Sequence, residues 1–329
     1  MKAKYNIAIV GSTGLVGRTV LKVLTEKNFR NCTYTLFSSK KSAGTKLQFL
    51  GQNYIIQELT EDSFNHNFDY AIFCAGSSVS EKFAPIAVSH GCVVIDNSSI
   101  FRMNKNVPLV VPEVNPEKIN ENTGIIANPN CSTIQAVVAL KPLDEKYQIK
   151  RIVYSTYQSV SGAGKAGIED LENGINNIAP KKFPYPIFNN CLPHIDTFTQ
   201  DGYTKEEHKM INETRKILEN PNLPITATAV RVPVKNCHSE SINVEFKNEI
   251  DIYDVKILLQ NSPGITVVDD IERNYYPLAT KADGYDDVFV GRIRRDFSVP
   301  NGVNLWVVAD NLRKGAASNA VQILEKLIS

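Results

Sequence analysis

A short apolar run, "YNIAIV" at 5–10, stops at Gly11 and gives way to "GLVGRTVLKVLTEKN", where Leu15, Val16, Val20, Val23 and Leu24 recur at helical spacing. The first run has the length of a strand, and the second has the period of a helix with one buried face. The alternation continues with "YTLFSS" at 34–39, "DYAIFCAG" at 69–76, a helix around "SEKFAPIAVSHG", then "CVVIDNSS" at 92–99 and "GIIANPNC" at 124–131. Continuous apolar strands separated by helices predict an α/β unit with a doubly wound, mostly parallel sheet.

Beyond residue 133 the texture changes. "IKRIVYSTYQSVSG", "ITATAVRVPV", "SESINVEFKN" and "VNLWVVAD" alternate over long stretches, as strands of a mixed or antiparallel sheet do. The expected organisation is therefore a nucleotide-binding domain over 1–133 and an α+β domain over 134–311. The amphipathic helix in 312–329 is expected to pack back on the first domain. The Pro-rich, aromatic stretch 179–196 is too irregular for an element and reads as a lid or an interface loop.

Composition narrows the function classes. With 329 residues, 43% of them apolar, the chain can bury two cores. Lys plus Arg number 36 against 35 Asp plus Glu, so no electrostatic footprint for nucleic acid or an anionic membrane exists. No apolar run is long enough to span a bilayer, and the short one at the start runs straight into a Gly-rich turn, unlike a signal peptide. A cytoplasmic protein is expected. The six cysteines show no CxxC spacing and fit reduced thiols, and the five histidines form no metal-binding cluster, so no metal is expected.

The turn after the first strand, "GSTGLVG", places Gly11, Gly14 and Gly17 between a strand and a helix. Glycines there permit a tight turn, let the backbone approach a pyrophosphate and aim helix N–H groups at it, which marks a Rossmann-type dinucleotide site. Thr13, Leu15 and Val16 fall in the same turn. At the end of the second strand, where a carboxylate would bond the ribose of NAD, the chain reads "FSSKKSAG". Ser38, Lys41 and Ser42 suit a 2'-phosphate, so the expected cofactor is NADP.

In "NPNCST" a thiol, Cys131, opens an apolar helix. Unpaired backbone N–H groups and the positive end of the helix dipole favour a thiolate there, so the residue is either a nucleophile or a small buried hydrophobe. A base would be needed, and His238 in "RVPVKNCHSE" follows a strand end and a polar turn. Arg231, in the same stretch, has a planar fork suited to a carboxylate.

Nine segments in order, "GSTGLVG", "NSSIFRM", "VPLVVPEVNP", "NPNCST", "YQSVSGAG", "EEHKMINET", "RVPVKNCHSE", "VFVGRIRRD" and "DNLRKGAA", resemble the aspartate-semialdehyde dehydrogenase family across nearly the whole chain. The resemblance implies an NADP-dependent reductase of L-aspartyl 4-phosphate, serving lysine, threonine and methionine synthesis, and a homodimer built largely through the second domain. Residue by residue, it implies Cys131 as acyl-thioester nucleophile, His238 as acid/base and Gln158 as the residue orienting substrate and thioester. It also implies Arg102 and Lys209 at the phosphate, Glu206 and Arg231 at the substrate's amino and carboxylate groups, Asn130 among these substrate- and phosphate-binding residues, and Ser161, Gly162 and Asn311 at the cofactor. Two departures stand out: "GST" replaces the commoner "GAT", and Cys237 puts a second thiol where a small residue usually precedes the histidine.

Plainer readings accompany these. Glu206 and Lys209, three apart on a helix, could be a surface ion pair, Arg102 could simply bridge two loops, and His194 reads as structural. Since Arg231 and His238 must reach a thiol carried on the edge of the first domain, the expected site lies in the cleft between the domains. Rival readings are another acyl-phosphate reductase, such as an N-acetylglutamyl phosphate reductase, a catalytically dead NADP-binding regulator, and a cysteine hydrolase.

Overall fold

A computed structural model describes residues 4–329. Contacts divide the chain into two units, one formed by the residues up to Pro129 with Ala316–Ser329 and the other by Asn130–Gly315.

The first unit contains β1 (Tyr5–Val10), α1 (Leu15–Glu26), β2 (Cys32–Ser38), β3 (Lys46–Phe49), β4 (Gln52–Ile55), β5 (Gln57–Glu58), β6 (Tyr70–Phe73), α2 (Ser77–Ser89), β7 (Val93–Asp96) and β8 (Ile125–Ala127). Six strands form one sheet in the order β5-β2-β1-β6-β7-β8, with every pair parallel. Both faces are covered, which is why the strands read as unbroken apolar runs. Ile7 and Ile9 pack with Val20, Leu24 and the C-terminal residues Val321 and Leu324, while Ala8 and Val10 pack with Phe37, Phe64, Phe73 and Ala84. The C-terminal helix, Ser318–Ile328, belongs to this unit and is tied to it by Lys27 Nζ 2.8 Å from Glu325 and by the Tyr70 hydroxyl donating to the Leu327 carbonyl at 3.1 Å. An antiparallel β3-β4 hairpin is an addition that the apolar pattern did not reveal.

The second unit runs α3 (Cys131–Tyr147), β9 (Ile149–Gln158), α4 (Lys165–Gly174), α5 (Lys205–Ile217), β10 (Ile225–Arg231), β11 (His238–Phe246), α6 (Ile252–Gln260), β12 (Ile265–Val267), α7 (Ala279–Ala282), β13 (Val288–Asp296) and β14 (Gly302–Ala309); the C-terminal helix above is α8. Its sheet, β10-β9-β11-β14-β13-β12, is mixed: β10 with β9 and β12 with β13 are parallel, and the other pairs are antiparallel. The division at Pro129/Asn130 differs from the boundary expected near residue 133, because α3 packs against this second sheet and carries Cys131 with it.

Strand register places the functional side chains. β9 and β10 run parallel with Arg231 opposite Gln158, so both strands end together. β11 runs antiparallel to β9 with Ser239 opposite Tyr157, so its first residue, His238, starts at that same end. β14, with Ala309 opposite His238, also finishes there. One end of the sheet therefore collects Gln158, Arg231, His238 and the turn after Ala309.

The stretch 179–196 is irregular but anchored. Asp170 on α4 accepts the N–H groups of Lys181, Lys182 and Phe183 at 2.8–2.9 Å, and Ile187 and Leu192 are buried with Val160.

Candidate active site

Gly11 has φ +81°, and a Cβ there would sit 2.8 Å from the Cys74 backbone; a Cβ on Gly17 would lie 2.2 Å from the Gly11 carbonyl oxygen. Only glycine fits this close turn. Gly14 is the N-cap of α1 and supplies no side-chain cap, and the first helical bond runs from Arg18 N–H to the Gly14 carbonyl. The N–H groups of Leu15, Val16 and Gly17 precede that bond and have no acceptor within the helix, which suits a pyrophosphate. The Thr13 hydroxyl lies 2.7 Å from that of Ser38 at the end of β2, and Ser39–Ala43 form a turn carrying exposed Lys40 and Lys41 and half-buried Ser42. The donor set matches a dinucleotide.

In the second unit Cys131 is the first residue of α3. Asn130 caps the helix by accepting the N–H groups of Ser132 (3.0 Å) and Thr133 (3.3 Å), and its own N–H donates to Glu213 at 2.7 Å. Gly315 comes so near that a Cβ would stand 2.8 Å from that of Cys131. None of the six cysteines is in a disulfide.

Arg231, 5% exposed, donates through Nη1 to the Ser159 carbonyl at 2.6 Å, and its guanidinium lies 5.9 Å from the Phe183 ring. Burial draws its pKa down, opposed by the Glu206 carboxylate and, when ionised, by Cys131. His238 is fully buried, and burial together with Arg231 lowers its pKa to about 3, so the imidazole is neutral at physiological pH. Nδ1 accepts the Ser159 N–H at 3.0 Å. Nε2 has no hydrogen-bond partner and lies 3.2 Å from where a Cβ on Gly162 would be, with Arg231 Nη1 3.0 Å from the same point. Gly162 thus leaves space over both groups.

Glu206 is buried on α5. It accepts from Asn130 Nδ2 (2.9 Å), Gln158 Nε2 (3.1 Å) and Lys209 (3.1 Å). Burial opposes its ionisation, but Lys209 and these donors outweigh burial and hold the carboxyl below the usual range. Lys209 also reaches Asp196 at 2.8 Å, and despite desolvation its two carboxylate partners raise its pKa. The pair is therefore no solvated surface bridge: the Glu206 side chain is only 6% exposed. Gln158 accepts the Thr156 hydroxyl and donates to Glu206.

Arg102, in the first unit, donates through Nε to the Asn128 carbonyl and through Nη2 to the Asn97 carbonyl, both at 2.9 Å, and so bridges two loops there. Asn311 Oδ1 accepts from Cys237 N–H and from the hydroxyls of Ser159 and Ser161, and its Nδ2 donates to Ser161. Both ends of that amide are thus engaged in holding three segments together. Cys237 packs with Ala282 and Val308, next to Phe289 and Trp306, on the sheet face opposite His238, and burial raises its thiol pKa. It is not presented toward Cys131. Among the described residues, one grouping has metal-ligand character: Cys237, Asp283 and Asp310 within 4.8 Å, with Asp310 already accepting three N–H groups and no histidine present. His194 stacks on Phe198 at 4.3 Å.

Sequence reasoning left out Ser159, Glu213 and Glu240. The signal for Glu213 was charge at a core-facing position: Glu206, Met210 and Glu213 share one buried stripe of α5. Glu240 follows His238 by two on β11 and faces the same side, fully buried, with neither oxygen hydrogen-bonded.

A Rossmann-type nucleotide unit joined to a mixed-sheet unit with a helix-terminal thiol, a neutral histidine and a buried arginine and glutamate defines a nicotinamide-dependent oxidoreductase. Two family models match: the NAD-binding domain of semialdehyde dehydrogenase over residues 6–122 and its dimerisation domain over 140–314. Aspartate-semialdehyde dehydrogenase of Aquifex aeolicus is 52% identical over 98% of both chains. The Vibrio cholerae aspartate semialdehyde dehydrogenase II complexed with ASA superposes with a TM-score of 0.95 at 47% identity, covering 99% of this chain and 98% of its own. The Candida albicans enzyme with NADP gives 0.78 at 27% identity, covering 98% of each. The chain belongs to the aspartate-semialdehyde dehydrogenase family.

Proposed function

We propose that this chain catalyses the NADP-dependent reductive dephosphorylation of L-aspartyl 4-phosphate to L-aspartate 4-semialdehyde, in the synthesis of lysine, threonine and methionine. The observation that carries the reading is a thiol at the start of capped α3, in the same unit as the buried, unpartnered His238 Nε2 and the Arg231 guanidinium beside it. In this reading the Cys131 thiolate attacks the acyl carbon, and helix N–H groups and His238 meet the negative oxygen. Glu206 and Arg231 hold the amino and carboxylate groups of the substrate, Gln158 and Asn130 keep Glu206 in place, and Lys209 and Arg102 take the phosphate.

Bound NADPH supplies the hydride. The residues assigned to it are Gly11, Thr13, Gly14, Leu15, Val16 and Gly17 at the pyrophosphate, Ser38, Lys41 and Ser42 at the 2'-phosphate, and Ser161, Gly162 and Asn311 at the nicotinamide end. The absence of a carboxylate in the turn after β2 and the NADP complex of the Candida relative support NADP over NAD.

A cytoplasmic homodimer is proposed. The dimerisation-domain match and the half-exposed outer face of β9 and β11, where Tyr157 is 38% exposed, support self-association. Among the described residues no helix is long and apolar enough to cross a membrane.

The test follows NADPH formation in purified protein with NADP, phosphate and L-aspartate semialdehyde, with N-acetylglutamate semialdehyde in parallel. Phosphate-dependent turnover of the first substrate alone is expected, and turnover of the second alone would transfer the assignment to the rival reductase. Cys131→Ala is expected to stop turnover while NADPH still binds; substantial residual turnover would remove the thioester route.

A further inference from the structure

The chain that leads into α5 is bonded to two of the residues assigned to the substrate. The main chain of Leu192 exchanges hydrogen bonds of 2.8 and 2.9 Å with that of Arg231, and the Thr197 carbonyl accepts the N–H of Lys205, the first residue of α5, at 2.9 Å. Between these anchors the rings of His194 and Phe198 stack at 4.3 Å, two residues to either side of Asp196. Asp196 has φ +70°, a left-handed backbone that few residues other than glycine, asparagine and aspartate adopt. Backbone of this kind persists only where its surroundings hold it, and it collects at ligand sites.

The Asp196 carboxylate is divided between two bonds. Oδ1 accepts the Thr197 N–H at 2.8 Å, which fixes the carboxylate to its own turn, and Oδ2 accepts from Lys209 Nζ at 2.8 Å. Lys209 Nζ also donates to Glu206 Oε2 at 3.1 Å, and Glu206 is itself held through Oε1 by Asn130 and Gln158. A lysine ammonium is a point charge with three donors on a flexible four-carbon stem. The bond to Glu206 alone would leave that head free to swivel toward solvent, to which the side chain is 25% exposed. With Asp196 as the second acceptor, two of the three N–H directions are fixed and the tetrahedral nitrogen sets the third. Burial works against both charges, yet Glu206 and Asp196 raise the Lys209 pKa, and Lys209 with the Thr197 N–H lowers that of Asp196.

We propose that Asp196 is a positioning residue for phosphate: it aims the remaining N–H of the Lys209 ammonium at the phosphate oxygens, and so sets the affinity for inorganic phosphate while leaving the contacts to the substrate's amino and carboxylate groups alone. The proposal rests on the reading of Lys209 as a phosphate-binding residue. Arg231 needs no such brace, because its guanidinium is planar and already fixed on the Ser159 carbonyl at 2.6 Å. The same short segment thus meets the arginine through the main chain and the lysine through one carboxylate. Of the two carboxylates on Lys209, Glu206 is tied to three side chains and is only 6% exposed, so it serves as the fixed point, and Asp196 supplies the direction.

The test uses two variants that both accept a left-handed backbone: Asp196→Gly removes the carboxylate, and Asp196→Asn keeps its shape without its charge. Steady-state rates of the full-length enzyme are measured in the direction that consumes phosphate, with NADP and L-aspartate semialdehyde saturating and inorganic phosphate varied. KM for phosphate is expected to rise about tenfold in Asp196→Gly and by a smaller factor in Asp196→Asn, while kcat at saturating phosphate and KM for the semialdehyde change less than about twofold. In a Lys209→Met background, Asp196→Gly should add less than about twofold, because the two residues then share one effect. An unchanged phosphate KM would overturn the proposal, as would full additivity with Lys209→Met. So would a lowered phosphate KM, which would make Asp196 a competitor of phosphate for Lys209, or kcat and both KM values moving together, as a merely structural turn would produce. Failure of the underlying reading looks different: Lys209→Met alone would then leave the phosphate KM at its parent value.

Discussion

Asn130 joins the start of α3, which carries Cys131, to the buried carboxylate of Glu206, and its removal should show in both. Its Oδ1 accepts two N–H groups at the start of α3, and its Nδ2 donates to Glu206 Oε1 at 2.9 Å. Loss of an N-cap costs about 1 kcal/mol, and loss of a hydrogen bond to a buried charged group costs roughly 1.5–3 kcal/mol. Asn130→Ala should therefore lose about 2.5–4 kcal/mol, which for a unit of this size lowers the melting temperature by roughly 5–15 °C. Asn130→Asp separates the two effects: it keeps the cap acceptor but sets a second carboxylate against Glu206, and two carboxylates so close do not both ionise. One of them acquires a raised folded-state pKa, so the stability it retains at low pH is lost as pH rises through that value. Calorimetric melts between about pH 5 and 8 read this out. The reasoning is refuted if Asn130→Ala melts within about 2 °C of the parent protein, a shift below what one lost cap implies, or if the Asp and Ala variants track each other across the pH range.

Three further outcomes are expected. Gly17→Ala forces a Cβ to within 2.2 Å of the Gly11 carbonyl, a backbone atom that cannot swing away, so the turn must shift; NADPH affinity by fluorescence titration should fall about tenfold or more, and an unchanged affinity would contradict the assigned pyrophosphate site. Replacing Lys41 and Ser42 together should weaken NADPH far more than NADH, because only the former has a 2'-phosphate to lose; equal losses would reject that assignment. Glu240→Gln should stabilise the protein at neutral and alkaline pH. Burial, then Glu206, raises the folded pKa of Glu240, so its native state stays protonated while the unfolded chain ionises, and stability declines as pH rises above the ordinary glutamate range. The gain should fade as pH falls toward about 4.5, and a pH-independent difference would argue against a neutral Glu240.

The sequence carried most of the local information, the β3-β4 hairpin excepted. A strand buried on both faces, such as β1, reads as unbroken apolar residues, and a half-covered strand such as β11 alternates, so the change of sheet type was visible in the residue pattern alone. Gly11 and Gly17 were legible because close backbone approach tolerates no Cβ, and Cys131 because a thiol after two asparagines and a proline marks a helix start. The family resemblance supplied names for the remaining site residues but not their surroundings.

Those surroundings are long-range. That Gln158, Arg231 and His238 meet at one end of a sheet is set by the parallel register of β9 with β10 and the antiparallel register of β9 with β11, and a shift of one residue would turn each side chain to the other face. Membership of Cys131 in the second unit depends on what α3 packs against, which its own periodicity does not encode. The half-buried bridge of Lys209 to Glu206 and Asp196, the inward-turned amide of Asn311 and the burial of Cys237 away from Cys131 depend on which polar partners the fold brings within bonding distance. The donor to His238 Nδ1 is a backbone N–H, a group every residue but proline carries and no motif can single out. Periodicity specified which faces are buried, and tertiary pairing alone decided which buried polar groups find a partner and which, like His238 Nε2, remain open for chemistry.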